Sequence, residues 1–145
     1  MRKITEWEGN TIKVLTEDEA NASFQGGHKI DALTNIYYSD LKFIFGSPSE
    51  IQTGDDKVQM TWVIEITDTE GNKGRFEIYD WKTYDLQYTK HKLDTWSIGG
   101  TGKHNPYILL EFINHARMSA FNVQDLYRKH NEIEDKLNQI MEIFK

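Results

Sequence analysis

The chain has 145 residues, 38% hydrophobic, 28% charged and 12% aromatic, with a formal net charge of −6. That length suits one domain, residues 1–145, able to bury a core of its own, and the aromatic content argues against disorder. The absence of cysteine excludes disulfides, thiolate catalysis and Cys-ligated zinc and favours a reducing compartment, while the negative charge argues against a duplex nucleic acid partner. Met1 to Trp7 lacks the apolar core of a signal peptide, and no apolar run reaches membrane-spanning length. A cytoplasmic protein with no membrane partner is expected.

In chain order, Ile4 to Trp7 and Thr11 to Leu15 read as two short strands around a Gly9-Asn10 turn. Thr16, with Glu19 three residues on, is a capping pair for one helical turn to Ala20. Phe24 to Lys29 carries Gly26-Gly27 and reads as a loop. Thr34 to Phe45 reads as a helix, with Ile36, Tyr37, Leu41, Ile44 and Phe45 on one face and Gly46 and Pro48 to stop it. Ile51 to Asp56 reads as a turn, and Asp55-Asp56 within it is expected to be solvated rather than to hold magnesium.

The strongest pattern follows. Val58, Met60, Trp62, Ile64 and Ile66 alternate, Asp68 to Asn72 make a turn, and Gly74 to Tyr79 alternate again. This predicts an antiparallel hairpin over about 57–80, with Trp62 in the core. Thr83 to Lys90 reads as a polar connection and Leu93 to Ile98 as a third strand of the same sheet. Asn105-Pro106 is a helix start, with Asn as cap and Pro at the first position, for a helix to about Arg117. Val123, Leu126, His130, Ile133, Leu137, Ile140 and Phe144 then recur at gaps of three and four, so residues 122–145 form an amphipathic helix with a seam. The expected class is α+β: a small antiparallel sheet (about 57–80 plus about 93–98) packed with helices, ending in a long helix.

The seam has two readings: packing on its own domain, or self-association. In the second, Leu126, Ile133, Leu137 and Ile140 make the contacts, and His130 is a register-setting polar residue or one tolerated at the seam edge.

The unusual residues concentrate between Tyr79 and Pro106. Trp96-Ser97-Ile98-Gly99-Gly100-Thr101-Gly102-Lys103-His104-Asn105-Pro106 reads as a strand, a Gly-rich loop and a helix start. Such a loop turns backbone N–H groups inward as an anion nest, and the helix end and Lys103 add positive charge. The run is not a nucleotide P-loop, since that pattern needs glycine where Ser97 stands and Ser or Thr where His104 stands. A turn that needs glycine for geometry alone is the competing reading. Trp81, Tyr84, Tyr88 and Trp96 lie in sequence near Lys82, Lys90, Lys92 and Lys103, the mixture of faces and cations that holds a base with its phosphate. Asp80 reads as a cap for the following turn, or as an acceptor for a base.

No zinc-hydrolase helix motif or nucleophile elbow occurs, and the five histidines are scattered. His104 beside Lys103 is the best acid candidate but has no orienting carboxylate nearby in sequence, so a non-enzyme with no catalytic residue, metal or cofactor is expected.

Phe45-Gly46-Ser47-Pro48, Gly54-Asp55-Asp56-Lys57, Trp62, Ile78-Tyr79-Asp80-Trp81-Lys82 and Trp96-Ser97-Ile98-Gly99-Gly100 together resemble a pattern in tailed-phage early proteins, over about Leu41 to Ile113. The pattern is similar to the viral sponge family called anti-CBASS protein four. The resemblance implies a homotetramer that sequesters cyclic dinucleotides such as 3′3′-cGAMP without destroying them, so blocking a host defence. The ligand-binding positions expected are Tyr79, Trp81, Lys82, Trp96, Gly99, Gly100, Lys103, His104 and Asn105; residues and resemblance agree on a phosphate-bearing ligand near the Gly-Gly loop. The alternatives are a protein-binding inhibitor of a host factor that uses the acidic surface, with Glu17-Asp18-Glu19 and Glu132 to Asp135 as its charged runs, and, behind it, a nucleotide-processing enzyme.

Overall fold

A computed structural model describes residues 3–22, 27–51, 57–101 and 105–144, with the side chains of all of these except 120–125. Seven strands, β1 (Ile4–Trp7), β2 (Asn10–Val14), β3 (His28–Leu33), β4 (Glu50–Ile51), β5 (Met60–Thr67), β6 (Lys73–Tyr79) and β7 (Trp96–Gly100), form one sheet. The order is β1-β2-β5-β6-β7-β3, β4 also pairs β5, and every pairing is antiparallel. The helices are α1 (Glu17–Ala22), α2 (Tyr38–Phe45), α3 (Leu86–His91) and α4 (Tyr107–Ile143). The α+β class is as expected.

Strand alternation makes the sheet two-faced. Met60, Trp62, Ile64 and Ile66 of β5, Phe76 and Ile78 of β6 and Ile98 of β7 are buried in one core cluster. Leu41, Ile44 and Phe45 of α2 and Leu109, Phe112 and Ile113 of α4 complete it. Two indoles sit at its centre, edge to face at 5.6 Å. A buried indole needs an acceptor for its N–H. Trp62 donates to the Gly46 carbonyl at 3.0 Å and Trp96 to the Ile36 carbonyl at 3.0 Å, so the pair ties down both flanks of α2. Thr61, Glu65, Thr67, Arg75, Glu77 and Tyr79 alternate to the other face and are half-buried. A smaller cluster of Leu15, Ala20 and Val63 packs α1 on one corner of that face.

Several local signals act as expected. Thr16 and Glu19 make the reciprocal cap of α1. Gly46 ends α2 at φ +78°, its N–H bonded to the Lys42 carbonyl. The central hairpin pairs in register from Thr61↔Tyr79 to Thr67↔Lys73.

Several expectations are corrected, among them the third strand, which runs over Trp96–Gly100 and not from Leu93. The first turn is Glu8-Gly9, both at positive φ, and Asn10 already belongs to β2 opposite Trp7. Of the segment read as a loop, His28 and Lys29 belong to β3, an edge strand whose Lys29/Asp31 bulge breaks the alternation that would have revealed it. The helix read from Thr34 starts at Tyr38, because Asn35 is left-handed and the Ile36 N–H bonds to the Asp94 carbonyl outside any helix. The connection read over Thr83 to Lys90 contains α3, capped by the Asp85 carboxylate, which accepts from the N–H groups of Gln87 and Tyr88. The last two helices are one, 37 residues long. No glycine or proline lies between Arg117 and Val123 to end it. Of the turn expected over Ile51 to Asp56, Ile51 belongs to β4, while residues 52–56, like residues 24–26 of the expected loop, lie outside the described residues. Within those described, no helix is long and apolar enough to cross a membrane.

Candidate functional site

Where β6 ends, the chain makes a tight connection to α3, and its organiser is Asp80. That carboxylate is fully buried. One oxygen accepts from the backbone N–H groups of Gln59 (2.8 Å) and Met60 (3.1 Å) at the start of β5. The other accepts from the hydroxyls of Thr83 (2.6 Å) and Thr89 (2.8 Å). Capping was one of its two readings, and the bonds join three segments. They hold a loop in which Lys82 (φ +56°) and Tyr84 (φ +54°) are both left-handed. Such non-glycine conformations cost about 1–2 kcal/mol each and persist only where the surroundings over-determine them. The Lys82 N–H also donates to the Lys57 carbonyl at 2.7 Å.

The product of this fixed loop is an exposed indole. Trp81 is 52% exposed, with the Lys57 ammonium 5.7 Å and the Lys82 ammonium 5.9 Å from its ring centroid. The Tyr79 ring meets it edge-on at 6.3 Å and 82°. Tyr79 lies down across the sheet because Gly99 offers no side chain: a Cβ there would stand 3.1 Å from the Tyr79 ring. Burial chiefly, then the Glu77 charge, raises the Tyr79 phenol above its ordinary value, and a hydrogen bond with Ser97 acts the other way. The phenol is therefore neutral at pH 7. Tyr84 and Tyr88 are exposed on the same connection. Lys90 of α3 and Lys42 of α2 approach the Tyr38 ring at 6.0 and 5.9 Å. The structure thus brings together Tyr79, Trp81, Lys82 and, as a spacer, Gly99. Sequence reasoning missed Lys57, which stands 24 residues before Trp81 and reaches it only because the hairpin folds back.

The remaining candidates are placed elsewhere. Trp96 is a core residue, 1% exposed and spent on Trp62 and the Ile36 carbonyl, so its reading as a stacking face is corrected. Gly99 and Gly100 are corrected as nest residues too. They are the end of β7, paired with Lys29 and His28, and neither has positive φ. Gly100 packs closely, since a Cβ would stand 3.0 Å from the Ile30 Cδ1 methyl, which would have to shift. Lys103 and His104 lie outside the described residues. The cap expected at Asn105 is corrected: Pro106 is the N-cap of α4 and Asn105 stands one residue before it, its side-chain oxygen accepting from the Tyr107 N–H at 3.0 Å. Asn105 lines a small groove of about 150 Å³ with Ile66, Asp68, Asn72, Gly74, Phe76 and Ile108.

That groove is at the far end of the hairpin from Trp81. The length of β6 separates them, roughly 20 Å at ~3.3 Å per residue. It is also the wrong sign for an anion. Hydrogen bonds, first from the Asn72 N–H, hold the Asp68 carboxyl below its ordinary value, so it is ionised. Among the described residues no group of His, Asp and Glu converges as a metal site would. No family model, curated protein or solved structure matches the chain.

Proposed function

We propose that the chain is a non-catalytic sponge for cyclic dinucleotides such as 3′3′-cGAMP, acting in the cytoplasm of a phage-infected cell to block a nucleotide-triggered defence. The platform at the end of β6 carries the proposal: an exposed indole, fixed by a buried carboxylate, with two ammoniums beside it. A base stacks on the Trp81 ring, and Lys57 and Lys82 turn from the indole to the phosphates. Each exposed cation–π contact is worth only about 0.5–1 kcal/mol, so a charge-assisted bond to phosphate at about 1.5–3 kcal/mol replaces it favourably. Tyr79, held neutral, serves as a hydrogen-bonding edge. The resemblance over Leu41 to Ile113 contains Tyr79-Asp80-Trp81-Lys82, the part of the pattern that forms this platform.

The test is a titration of cyclic and linear dinucleotides by calorimetry, followed by heat release and chromatography of the ligand. The expected result is saturable binding, with intact nucleotide recovered. Trp81→Ala, a half-exposed position that leaves the core alone, removes a stacking face worth about 1–3 kcal/mol and weakens binding roughly 5- to 150-fold. Lys57→Glu and Lys82→Glu weaken it further. Unchanged affinity in Trp81→Ala would refute the site, and cleaved product would refute the sponge.

A further inference from the structure

We infer that residues 126–143 pair with the same residues of further copies of this chain in a parallel, in-register coiled coil. The inference is independent of the ligand. The first turns of α4 lie on the sheet through Leu109, Phe112 and Ile113, but every described side chain from Leu126 to Phe144 is exposed. Leu126 is 65% exposed, Ile133 58%, Leu137 54% and Ile140 50%, so within one protomer the seam covers nothing. A helix in water does not keep such a stripe uncovered without cost.

The heptad positions say what covers it. Leu126, Ile133 and Ile140 fall at d, and His130, Leu137 and Phe144 at a, over consecutive gaps of four and three. Position g holds Lys129 and Lys136, and position e holds Glu134. In a parallel pair each g residue meets the e residue five places on in its neighbour, so Lys129 faces Glu134 of the other copy, and the symmetry repeats the contact. An antiparallel pair sets g against g, lysine against lysine. The charges therefore select a parallel copy of the same helix. Glu134 already bonds His130 within the helix at 3.1 Å, which orients the carboxylate along this flank. Leucine at a with isoleucine at d favours more than two strands. Exposed Tyr127 and Met141 at e and Ile143 at g widen the apolar stripe in the same sense. His130 is the polar a residue that fixes register and weakens the pairing.

The chain has no cysteine, so introduced ones report geometry directly. Leu126→Cys and Ile140→Cys in the full-length chain are each expected to form a same-site disulfide under mild oxidation, since parallel d positions fall in the roughly 4.4–6.8 Å range of Cα separations. Mixed together they should give no 126-to-140 link; that link appearing would overturn the parallel register. Sedimentation at tens of micromolar should show a species larger than the 17.0 kDa protomer, reduced to the protomer by Leu137→Asp with Ile140→Asp. These side chains are outside the core, so the sheet's circular dichroism should not change. Lys129→Glu should weaken association several-fold, and adding Glu134→Lys should restore it. A wild-type chain that sediments as a protomer, or a charge swap without rescue, refutes self-pairing, the former leaving the stripe to a different protein.

Discussion

Removing the Asp80 carboxylate tests how the platform is held. Asp80→Ala deprives four donors of their acceptor, but the four are not equal. The Thr83 and Thr89 hydroxyls lie 2.9 Å apart and can bond each other, and Thr89 also reaches the Asp85 carbonyl at 3.2 Å. The N–H groups of Gln59 and Met60 belong to buried residues and, fixed in the backbone, cannot rotate to a new acceptor as a hydroxyl can. Leaving a buried donor unsatisfied costs about 1–3 kcal/mol, so the two together cost about 4 kcal/mol. That is a large share of a stability of roughly 5–15 kcal/mol. At roughly 3 °C per kcal/mol for a chain of this size, Tm falls by about 12 °C. Asp80→Asn behaves differently. Its carbonyl oxygen keeps both amides, and its NH₂ donates to hydroxyls that rotate to accept. Only the charge assistance is lost, about 1–2 kcal/mol. Urea unfolding of the two variants beside the parent measures both differences. A cost below about 1 kcal/mol for Asp80→Ala, or equal costs for the two, would refute the assignment of this carboxylate as the loop's organiser.

Two further substitutions probe the turns. Glu8→Asn should stabilise the chain by about 0.5–1 kcal/mol in the same unfolding assay, because Glu8 sits at φ +49° before Gly9 in a two-residue hairpin turn that Asn-Gly suits best; a loss of stability would refute that turn assignment. Asp68→Asn should flatten the acid side of the stability curve. The folded carboxyl titrates below its unfolded value of about 3.9, so its stabilisation is complete above that pH and is lost as pH falls through the lower, folded value. Asparagine keeps an acceptor for the turn amides but does not titrate, and an unchanged acid slope in urea midpoints would count against this role.

What the sequence disclosed followed the strength of each local signal. The central hairpin was legible because β5 and β6 alternate for eight and seven residues with one face fully buried. The cap at Thr16 and the stop at Gly46 were legible because their signals act within a turn. β3 was hidden because its partner, β7, lies about 65 residues later, and an edge strand with a bulge need not alternate. α3 was hidden because its cap, Asp85, was read as one more polar residue in a Tyr-rich stretch. The continuous α4 was cut in two because its apolar face changes purpose along its length, serving the sheet through Ile113 and leaving it afterwards.

The site was legible as a composition and misread as a geometry. Trp-x-Ile-Gly-Gly was taken as a strand running into an anion loop, whereas the strand continues through both glycines. Those glycines are small because something else is large: the Tyr79 ring occupies the space above Gly99, and Ile30 and Phe76 that beside Gly100. Their backbones pair in the sheet and neither takes the positive φ of a nest. In the proposed site the positive charge would come from side chains, Lys57 and Lys82, which the fold, not the sequence interval, sets beside one indole. A ligand held in this way is bound by a stacking face and two mobile ammoniums rather than by rigid backbone dipoles. Its affinity should therefore fall steeply with salt while the bound base stays exchangeable, and an affinity indifferent to salt would place the phosphates elsewhere.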